Sequence, residues 1–253
     1  MDKIELIKKI MQKPELRKLP IEDVEMAFAM CVKKGFSDRE SVRCTRELLH
    51  KAYGAFGSRK LLVLREKDPE WVLRKHVSTR ERLPYYKELY GRLNLKGTVI
   101  DLGAGVNGFS LGLIPKLRYI GMEGIGQLVD LMNDYFKKQK LKAKSYHVSL
   151  FNLVKIKSLI KREKGKKVVF LFKVLDSLEV LERNYSKKLL KEITPLVDRV
   201  VVSFATRSLI SRKLFRAKRT WIINFIMENF KIVDDFELGG ERYLVFKNKK
   251  NEK

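Results

Sequence analysis

The chain has 253 residues and is strongly basic, with 55 Lys and Arg against 30 Asp and Glu, a formal net charge of +25. This length can bury one good core and a smaller second domain, and so large a positive surplus indicates a polyanionic partner, with nucleic acid favoured over a membrane surface. No apolar run approaches the roughly 20 residues of a spanning helix and the start is no signal peptide, so we expect a cytoplasmic protein without a membrane partner.

Residues 1–83 show helical periodicity and little strand character, which predicts a helical domain that docks on RNA. Ser37 and Glu40 form a capping-box pattern at the start of one of its helices. The stretch from Tyr53 to Lys60 interleaves aromatic and cationic side chains. It fits an RNA contact and a helix–helix connection equally well.

The two cysteines of the sequence are Cys31 and Cys44. They form no C-x-x-C pattern and have no neighbouring pair of histidines, so we predict buried thiols rather than a metal site or a disulfide. A composition rich in Lys and Glu and poor in Gln is also typical of thermophilic proteins.

The stretch Val99–Phe109 carries the clearest binding motif. A short aliphatic strand leads into Gly103, Gly105 and Gly108, the G-x-G-x-x-G spacing that lets backbone N–H groups approach a ligand at a helix start. Asp101 precedes the first glycine by two residues. Its carboxylate would repel the pyrophosphate of a dinucleotide but suits the ammonium group of S-adenosylmethionine. The motif therefore favours a methyltransferase loop, with a dinucleotide site as the alternative.

Strands and helices alternate after this motif. We predict strands at 98–102, 118–122, 144–148, 167–173 and 198–204, and helices at 126–140 and 183–194. Such alternation predicts a parallel sheet covered on both faces. The end of the chain instead reads as an antiparallel hairpin, 230–236 with 241–247. The predicted fold class is therefore α/β, with a Rossmann-like methyltransferase domain at residues 84–253 that follows the helical domain in the chain.

Two further strand ends contribute to the predicted site. Glu123 ends the second strand, where a carboxylate can accept both ribose hydroxyls of a nucleoside. Ser149 and Leu150 follow the third strand, where methyltransferases often place an acid against the adenine amino group. Adenine recognition is therefore expected to depend on backbone and apolar contacts.

Motifs that the sequence lacks narrow the choice of the atom that is methylated. An Asn/Asp-Pro-Pro-aromatic motif for exocyclic amino groups does not follow the fourth strand, and both cysteines lie far upstream of the position that a C5 nucleophile requires. A ring nitrogen such as purine N7 remains possible. A ribose 2′-oxygen activated by Lys173 and Asp176 also remains.

Four stretches of the sequence carry a family resemblance. His76-Val-Ser-Thr-Arg-Glu-Arg-Leu83 and Val202-Ser-Phe-Ala-Thr-Arg-Ser-Leu209 resemble specific motifs of the aminoglycoside-resistance 16S ribosomal RNA methyltransferases, the Arm, Rmt and Sgm group. The strand Val169–Leu175 and the segment Gly240–Val245 resemble more generic parts of that family. The resemblance runs from about residue 70 to 247. Ala205 departs from it, since the family has proline there.

The resemblance implies transfer of a methyl group from S-adenosylmethionine to N7 of a decoding-site guanine in the assembled small ribosomal subunit. It implies that Arg82, with His76, Ser78 and Thr79, reaches the methionine carboxylate of the cofactor. It also implies that Phe204 lines the base pocket, that Arg207 faces rRNA and that Lys173 lies over the cofactor end of the sheet, and these three are the predicted catalytic residues. The whole predicted cofactor site is His76, Ser78, Thr79, Arg82, Asp101, Gly103, Ala104, Gly105, Asn107, Glu123, Gly124, Ser149, Leu150 and Lys173.

The sequence thus predicts a monomeric, metal-free methyltransferase that modifies small-subunit rRNA, either as a resistance enzyme or as a housekeeping enzyme. Three alternatives stay open. They are a 2′-O or other ring-nitrogen methyltransferase acting on RNA, a non-catalytic RNA-binding or ribosome assembly factor, and an oxidoreductase.

Overall fold

A computed structural model describes residues 2–54, 59–62, 68–113, 117–206 and 219–250. Its first part is helical. The α-helices are α1 Lys3–Met11, α2 Ile21–Val32, α3 Asp38–Leu49, α4 Pro69–Lys75, α5 Val77–Arg82 and α6 Tyr86–Leu93. The capping box of Ser37 and Glu40 at the start of α3 is confirmed. Directly after α3 the backbone widens into a π-helical turn, His50–Gly54, and short 3₁₀ turns follow at Arg59–Leu61 and Leu83–Tyr85.

The two cysteines are joined. Cys31 on α2 and Cys44 on α3 form a disulfide, so the prediction of free thiols was wrong. The packing of the two helices brings their Cα atoms to 6.0 Å, which is within the range of a disulfide. Nothing in the spacing of the two residues along the chain reveals this approach.

The second part of the chain alternates strands and helices as predicted. The strands are β1 Thr98–Leu102, β2 Arg118–Glu123, β3 Ala143–His147, β4 Lys167–Phe172, β5 Arg199–Ala205, β6 Lys231–Leu238 and β7 Glu241–Lys247. The helices are α7 Gly126–Lys138, α8 Leu153–Arg162, α9 Leu175–Leu181, α10 Tyr185–Ile193 and α11 Thr220–Asn229, with a 3₁₀ turn at Thr194–Leu196.

These strands form one seven-stranded sheet in the order β3-β2-β1-β4-β5-β7-β6. The first five strands are parallel, and β7 pairs antiparallel with both β5 and β6. The predicted fold class is confirmed, including the closing hairpin. Because β1 lies between β2 and β4, all five of its residues are buried. This explains why it is apolar apart from Thr98 and Asp101.

The glycine stretch differs from the expectation in one respect. Gly103 and Gly105 have φ angles of 73° and 53°, which favour glycine, but the chain then enters a 3₁₀ helix, Asn107–Leu113, rather than an α-helix. Gly108 serves packing, because a Cβ atom there would lie 2.6 Å from the ring of Phe136. A loop and a 3₁₀ helix therefore stand where the sequence predicted a ligand-binding helix start.

A hydrophobic core lies on each face of the sheet. One core joins the amino-terminal helices to the sheet, with Ile10, Phe28 and Leu49 in the same cluster as Tyr119 and Phe170. The other core is formed by the sheet with α8 to α11. The boundary at residue 83 stays a prediction. Among the described helices none is long and apolar enough to cross a bilayer.

Candidate active site

A cavity opens at the carboxyl ends of β1, β2 and β4, the edge at which open α/β sheets bind ligands. The predicted cofactor residues converge on it from α5, the glycine stretch, the end of β2 and the end of β4. The predicted residues that line the cavity are His76, Ser78, Thr79, Arg82, Asp101, Gly103, Ala104, Gly105, Asn107, Glu123, Gly124, Leu150 and Lys173. Ser149 does not line it.

Glu123 is held by the backbone on both sides of the cavity. Its Oε2 accepts a hydrogen bond from the N–H of Gly105 at 2.7 Å and its Oε1 accepts one from Ile125 at 2.8 Å. Burial raises the pKa of this carboxyl above its ordinary value, although the backbone N–H groups oppose the shift. The remaining lone pairs of both oxygens are therefore pre-positioned acceptors for hydroxyl groups.

Asp101 presents one oxygen to the protein. Its Oδ2 accepts hydrogen bonds from Nδ2 of Asn107 and from the hydroxyl of Tyr119, both at 2.8 Å. Burial raises the pKa of Asp101, and these two donors counteract part of the shift. A cationic ligand beside Oδ1 would compensate the buried charge.

Arg82, at the end of α5, lies in a buried polar network. Its Nη2 donates to Glu241 Oε1 at 2.8 Å and to Ser78 Oγ at 3.1 Å, and its Nε donates to the hydroxyl of Tyr243 at 3.1 Å. Its Nη1 reaches Oδ1 of Asn107 at 3.5 Å, the limit of a hydrogen bond. The guanidinium is therefore oriented by protein groups, and its Nη1 edge is the more weakly bonded one.

Lys173 follows β4 in the left-handed region, with a φ of 58°. Its Nζ lies 2.7 Å from Oε2 of Glu81 and 3.1 Å from Oε2 of Glu241. The dyad with Asp176 considered from the sequence is not formed, since Asp176 pairs with Arg219 at 2.7 Å. Lys173 therefore connects the cavity to the same carboxylate that holds Arg82.

His76 lies against the glycine stretch, where a Cβ atom on Gly105 would approach its Nε2 to 3.0 Å. Burial lowers the pKa of His76 to about 3, and the charges of Arg82 and Lys173 add to this effect. The ring is therefore neutral at physiological pH. Thr79 donates its hydroxyl to the carbonyl of Leu73 at 2.6 Å, which fixes the turn before α5.

The amino-terminal helices supply one wall of the cavity. Ala52 and Tyr53 of the π-helical turn line it beside Gly124. The hydroxyl of Tyr53 donates to Asp23 of α2, and Ser149 donates to the other oxygen of Asp23 at 2.5 Å. Tyr53 thus lines the cavity. Residues 55–58, further along the same stretch, lie outside the described residues.

The predicted base pocket is less complete. Phe204 is 4% exposed and packs in the second core, and it does not line the cavity. The guanidinium of Arg219 lies 5.6 Å from its ring. Arg207 falls outside the described residues. The roles of Phe204 and Arg207 therefore stay predictions.

Among the residues to which the sequence assigned no role at the cofactor site, four polar ones make the contacts described above: Asp23, Tyr53, Glu81 and Glu241. Glu241 stands in the hairpin segment that resembled the family, and Glu81 in the motif after His76, so both signals were present without an assigned role. No local signal marks Asp23. Its burial depends on how α2 packs.

The cavity fits S-adenosylmethionine. Asp101 suits an ammonium group, Glu123 suits ribose hydroxyls, and Gly103 and Gly105 line the cavity together with them. A Cβ atom at Gly103 would lie 2.5 Å from Val174, so a side chain there would crowd the cradle. In the described part of the chain, no cluster of His, Cys, Asp and Glu could hold a metal ion.

A parallel sheet closed by an antiparallel hairpin, with paired acids at the ends of β1 and β2, defines a Rossmann-like methyltransferase. The family profile described as ribosomal RNA methyltransferase (FmrO) matches residues 34–221. The chain belongs to this family, which confirms the resemblance seen in its motifs.

Known proteins agree with this assignment. A protein of Frankia casuarinae named 16S rRNA (guanine(1405)-N(7))-methyltransferase is 29% identical over 196 residues, which cover 67% of this chain and 66% of the relative. The crystal structure of 16S rRNA methyltransferase RmtF with S-adenosyl-L-homocysteine matches with a TM-score of 0.81 at 22% identity, covering 98% of this chain and all of that one. The 16S rRNA methylase RmtB matches with a TM-score of 0.79 at 21% identity, covering 98% and 99% of the two chains.

Proposed function

We propose that this protein transfers the methyl group of S-adenosylmethionine to N7 of a guanine in 16S rRNA, within the small ribosomal subunit in the cytoplasm. The observation that carries the proposal is the pair of buried carboxylates, Asp101 and Glu123, on either side of the glycine stretch. The relative from Frankia casuarinae is named for the guanine N7 reaction, and the RmtF structure contains the demethylated cofactor. A surplus of 25 positive charges supports an rRNA partner.

Each part of the cavity has a role in this proposal. Glu123 would accept the ribose hydroxyls, Asp101 would accept the methionine ammonium, and the Nη1 edge of Arg82 would face the methionine carboxylate. The cofactor supplies an electrophilic methyl group. Purine N7 carries an exposed lone pair, so the protein has to orient the base and exclude water rather than remove a proton.

A 2′-O methyltransferase is the second candidate. It needs a base for the ribose hydroxyl. Lys173 is the candidate residue, but its ammonium nitrogen is bonded to Glu81 and Glu241 and is not paired with Asp176. This arrangement favours a role for Lys173 in holding the cavity.

The test uses purified small subunits and S-adenosylmethionine labelled in its methyl group. After the reaction, the rRNA is digested to nucleosides and the labelled product is identified by mass spectrometry. 7-Methylguanosine is expected. A 2′-O-methylated nucleoside would favour the second candidate, and the absence of labelled nucleoside would contradict both. The Asp101→Asn variant serves as the control for label that does not depend on the cavity.

A further inference from the structure

Asp23 is a fully buried carboxylate of α2 whose contacts lie at the wall of the cofactor cavity. Its Oδ1 accepts a hydrogen bond from Ser149 Oγ at 2.5 Å, and its Oδ2 accepts one from the hydroxyl of Tyr53. Ser149 lies after β3, 126 residues further along the chain. One carboxylate of the amino-terminal helices therefore bridges two separate segments.

The first segment lies over the end of β2. The ring of Tyr53 packs on Gly124, where an added Cβ atom would lie 2.7 Å from its Cε1. Gly124 directly follows Glu123, whose carboxylate is the proposed acceptor for the ribose hydroxyls. Tyr53 belongs to the π-helical turn, a rare local structure that is enriched at functional sites. Asp23 therefore fixes an aromatic ring beside the ribose position.

The second segment is the turn after β3. Ser149 Oγ donates to Asp23 and also accepts a hydrogen bond from the N–H of Phe151 at 3.0 Å. The turn places Leu150 and Phe151 in the cavity lining, and the carbonyl of Leu150 is held by Tyr185 at 2.6 Å. Asp23 therefore also fixes the apolar side of the cavity, where Ser149 stands in place of an acid.

Burying this carboxylate has a cost. Burial raises the pKa of Asp23, while the hydrogen bonds from Ser149 and Tyr53 act against the shift. Neighbouring Glu22 on the same helix is exposed. The costly burial of Asp23 thus coincides with contacts to both walls of one cavity.

We propose that Asp23 is a positioning residue for the nucleoside half of the cofactor. It holds Tyr53 at one wall of the cavity and, through Ser149, the turn that carries Leu150 and Phe151 at the other. Cofactor affinity therefore depends on the docking of the amino-terminal helices. The inference rests on the proposed function, because it assumes that a nucleoside occupies this cavity. If the same helices bind rRNA, the affinity for the cofactor and the affinity for RNA are coupled, and each ligand changes the affinity for the other by the same factor.

The test is calorimetric titration of the full-length protein with S-adenosylmethionine and S-adenosylhomocysteine. We expect Asp23→Asn to weaken both ligands by about tenfold, and Tyr53→Phe and Ser149→Ala by about threefold each, as for the loss of single hydrogen bonds. In steady-state assays on small subunits, KM for S-adenosylmethionine should rise while kcat at saturation stays near the wild-type value. Glu22→Gln, which changes an exposed carboxylate in the same turn of α2, is the matched control and should leave both quantities unchanged.

A mutant cycle separates positioning from general stability. In the Tyr53→Phe/Ser149→Ala background, Asp23→Asn should produce no further loss of affinity, since the groups through which it acts are gone. Should Asp23→Asn fail to fold, Tyr53→Phe and Ser149→Ala carry the test, because they retain the carboxylate. Unchanged affinity in these variants, or an equal fall of kcat and rise of KM, would overturn the inference. Failure of the wild-type protein to bind either ligand would instead reject the proposed function.

Discussion

Nη2 of Arg82 lies 2.8 Å from Oε1 of Glu241, although the two residues are 159 positions apart in the sequence. Their side chains are 2% and 3% exposed. Arg82 ends α5 at the wall of the cavity, and Glu241 begins β7 in the closing hairpin. The hairpin that completes the sheet therefore also supplies the anion that orients the cavity's arginine and lysine.

We expect Glu241→Gln to destabilise the protein by about 3–5 kcal/mol, because it removes one partner of a buried ion pair and leaves Arg82 and Lys173 under-compensated. Chemical denaturation at neutral pH measures the loss. Glu228→Gln, at an exposed position of α11, is the control and should change the free energy of unfolding by less than about 0.5 kcal/mol.

The same variant should change the acid stability. Burial opposes ionisation of Glu241, but the charges of Arg82 and Lys173 outweigh it and hold its pKa below the ordinary value of 4.5. The folded state therefore binds the proton less tightly than the unfolded state. The stability that this gives is present above pH 4.5 and is lost as the pH falls through the lower folded pKa. Glu241→Gln should flatten this part of the curve, and an unchanged slope would contradict the assignment.

Asp101→Asn should weaken S-adenosylmethionine binding by about tenfold or more, as for the loss of a hydrogen bond to a charged group, while preserving the fold. The amide oxygen can take the place of Oδ2 and keep the hydrogen bonds from Asn107 and Tyr119, whereas its NH₂ group replaces the acceptor beside the ligand. Because burial raises the pKa of Asp101, removing its charge should not lower the melting temperature. Titration calorimetry and thermal unfolding measure the two effects.

Glu123→Gln is the contrasting variant. Both Glu123 oxygens accept backbone N–H groups, so an amide NH₂ must oppose one of them. The Glu123→Gln variant should therefore lose stability as well as affinity for S-adenosylmethionine. Equal melting temperatures for Asp101→Asn and Glu123→Gln would contradict this account of the two carboxylates.

Reduction of the Cys31–Cys44 disulfide should lower the melting temperature. The bond links residues 13 positions apart, and closing a loop of this size contributes about 3 kcal/mol in the chain-entropy account. For a chain of this length we expect a fall of roughly 6–12 °C by calorimetry with and without reductant. The Cys31→Ser/Cys44→Ser variant should melt at the reduced temperature and show no response to reductant. A reductant-dependent shift in that variant would point to another cause.

RNA binding should fall steeply with salt, with a log–log slope of several units, since each phosphate contact contributes about 0.7–0.9. Exposed cations of α3 and the segment after α1, namely Lys13, Arg39 and Arg43, line a groove of the predicted docking domain. Their joint replacement by alanine should reduce the slope by about one per lost contact. Replacing Lys155, Lys161 and Arg162 of α8, on the other face of the sheet, removes the same charge and is the control. Equal effects of the two sets would contradict the docking surface.

The pH dependence of methyl transfer separates the two candidate reactions. If N7 is the acceptor, the single-turnover rate should be nearly independent of pH across the neutral range, because no proton leaves before attack. Lys173→Met should then act through the cavity and the placement of the ligand, and Phe204→Ala or Arg207→Ala should impair transfer at least as strongly. A 2′-O enzyme would instead lose roughly 10²–10⁴-fold with its base. A log-linear rise of rate with pH that disappears in Lys173→Met would contradict the N7 proposal.

Local patterns in the sequence were sufficient to predict the sheet and the part of the cavity formed by the strand ends, the glycine stretch and the His76–Leu83 motif. The buried strands have continuous apolar runs, and Asp101 and Glu123 stand at strand ends that parallel pairing brings to one edge. The glycine spacing is local too, and so are the residues of the His76–Leu83 motif. For such features the backbone periodicity alone determines which side chains share an edge.

Tertiary packing decided the rest. Asp23 meets Ser149 and Arg82 meets Glu241 because helices and strands distant in sequence bury a common apolar surface. Cys31 meets Cys44 because the consecutive helices α2 and α3 pack together. A polar residue that forms such a buried contact cannot be distinguished in the sequence from a polar residue of the surface. Its burial is compensated by hydrogen-bond partners from distant segments, and no local sequence pattern specifies them. The sequence by itself determined the methyltransferase fold and the positions of Asp101 and Glu123 at the strand ends. The packing of the amino-terminal helices and of the closing hairpin determined the walls of the cavity and the ion pairs around it.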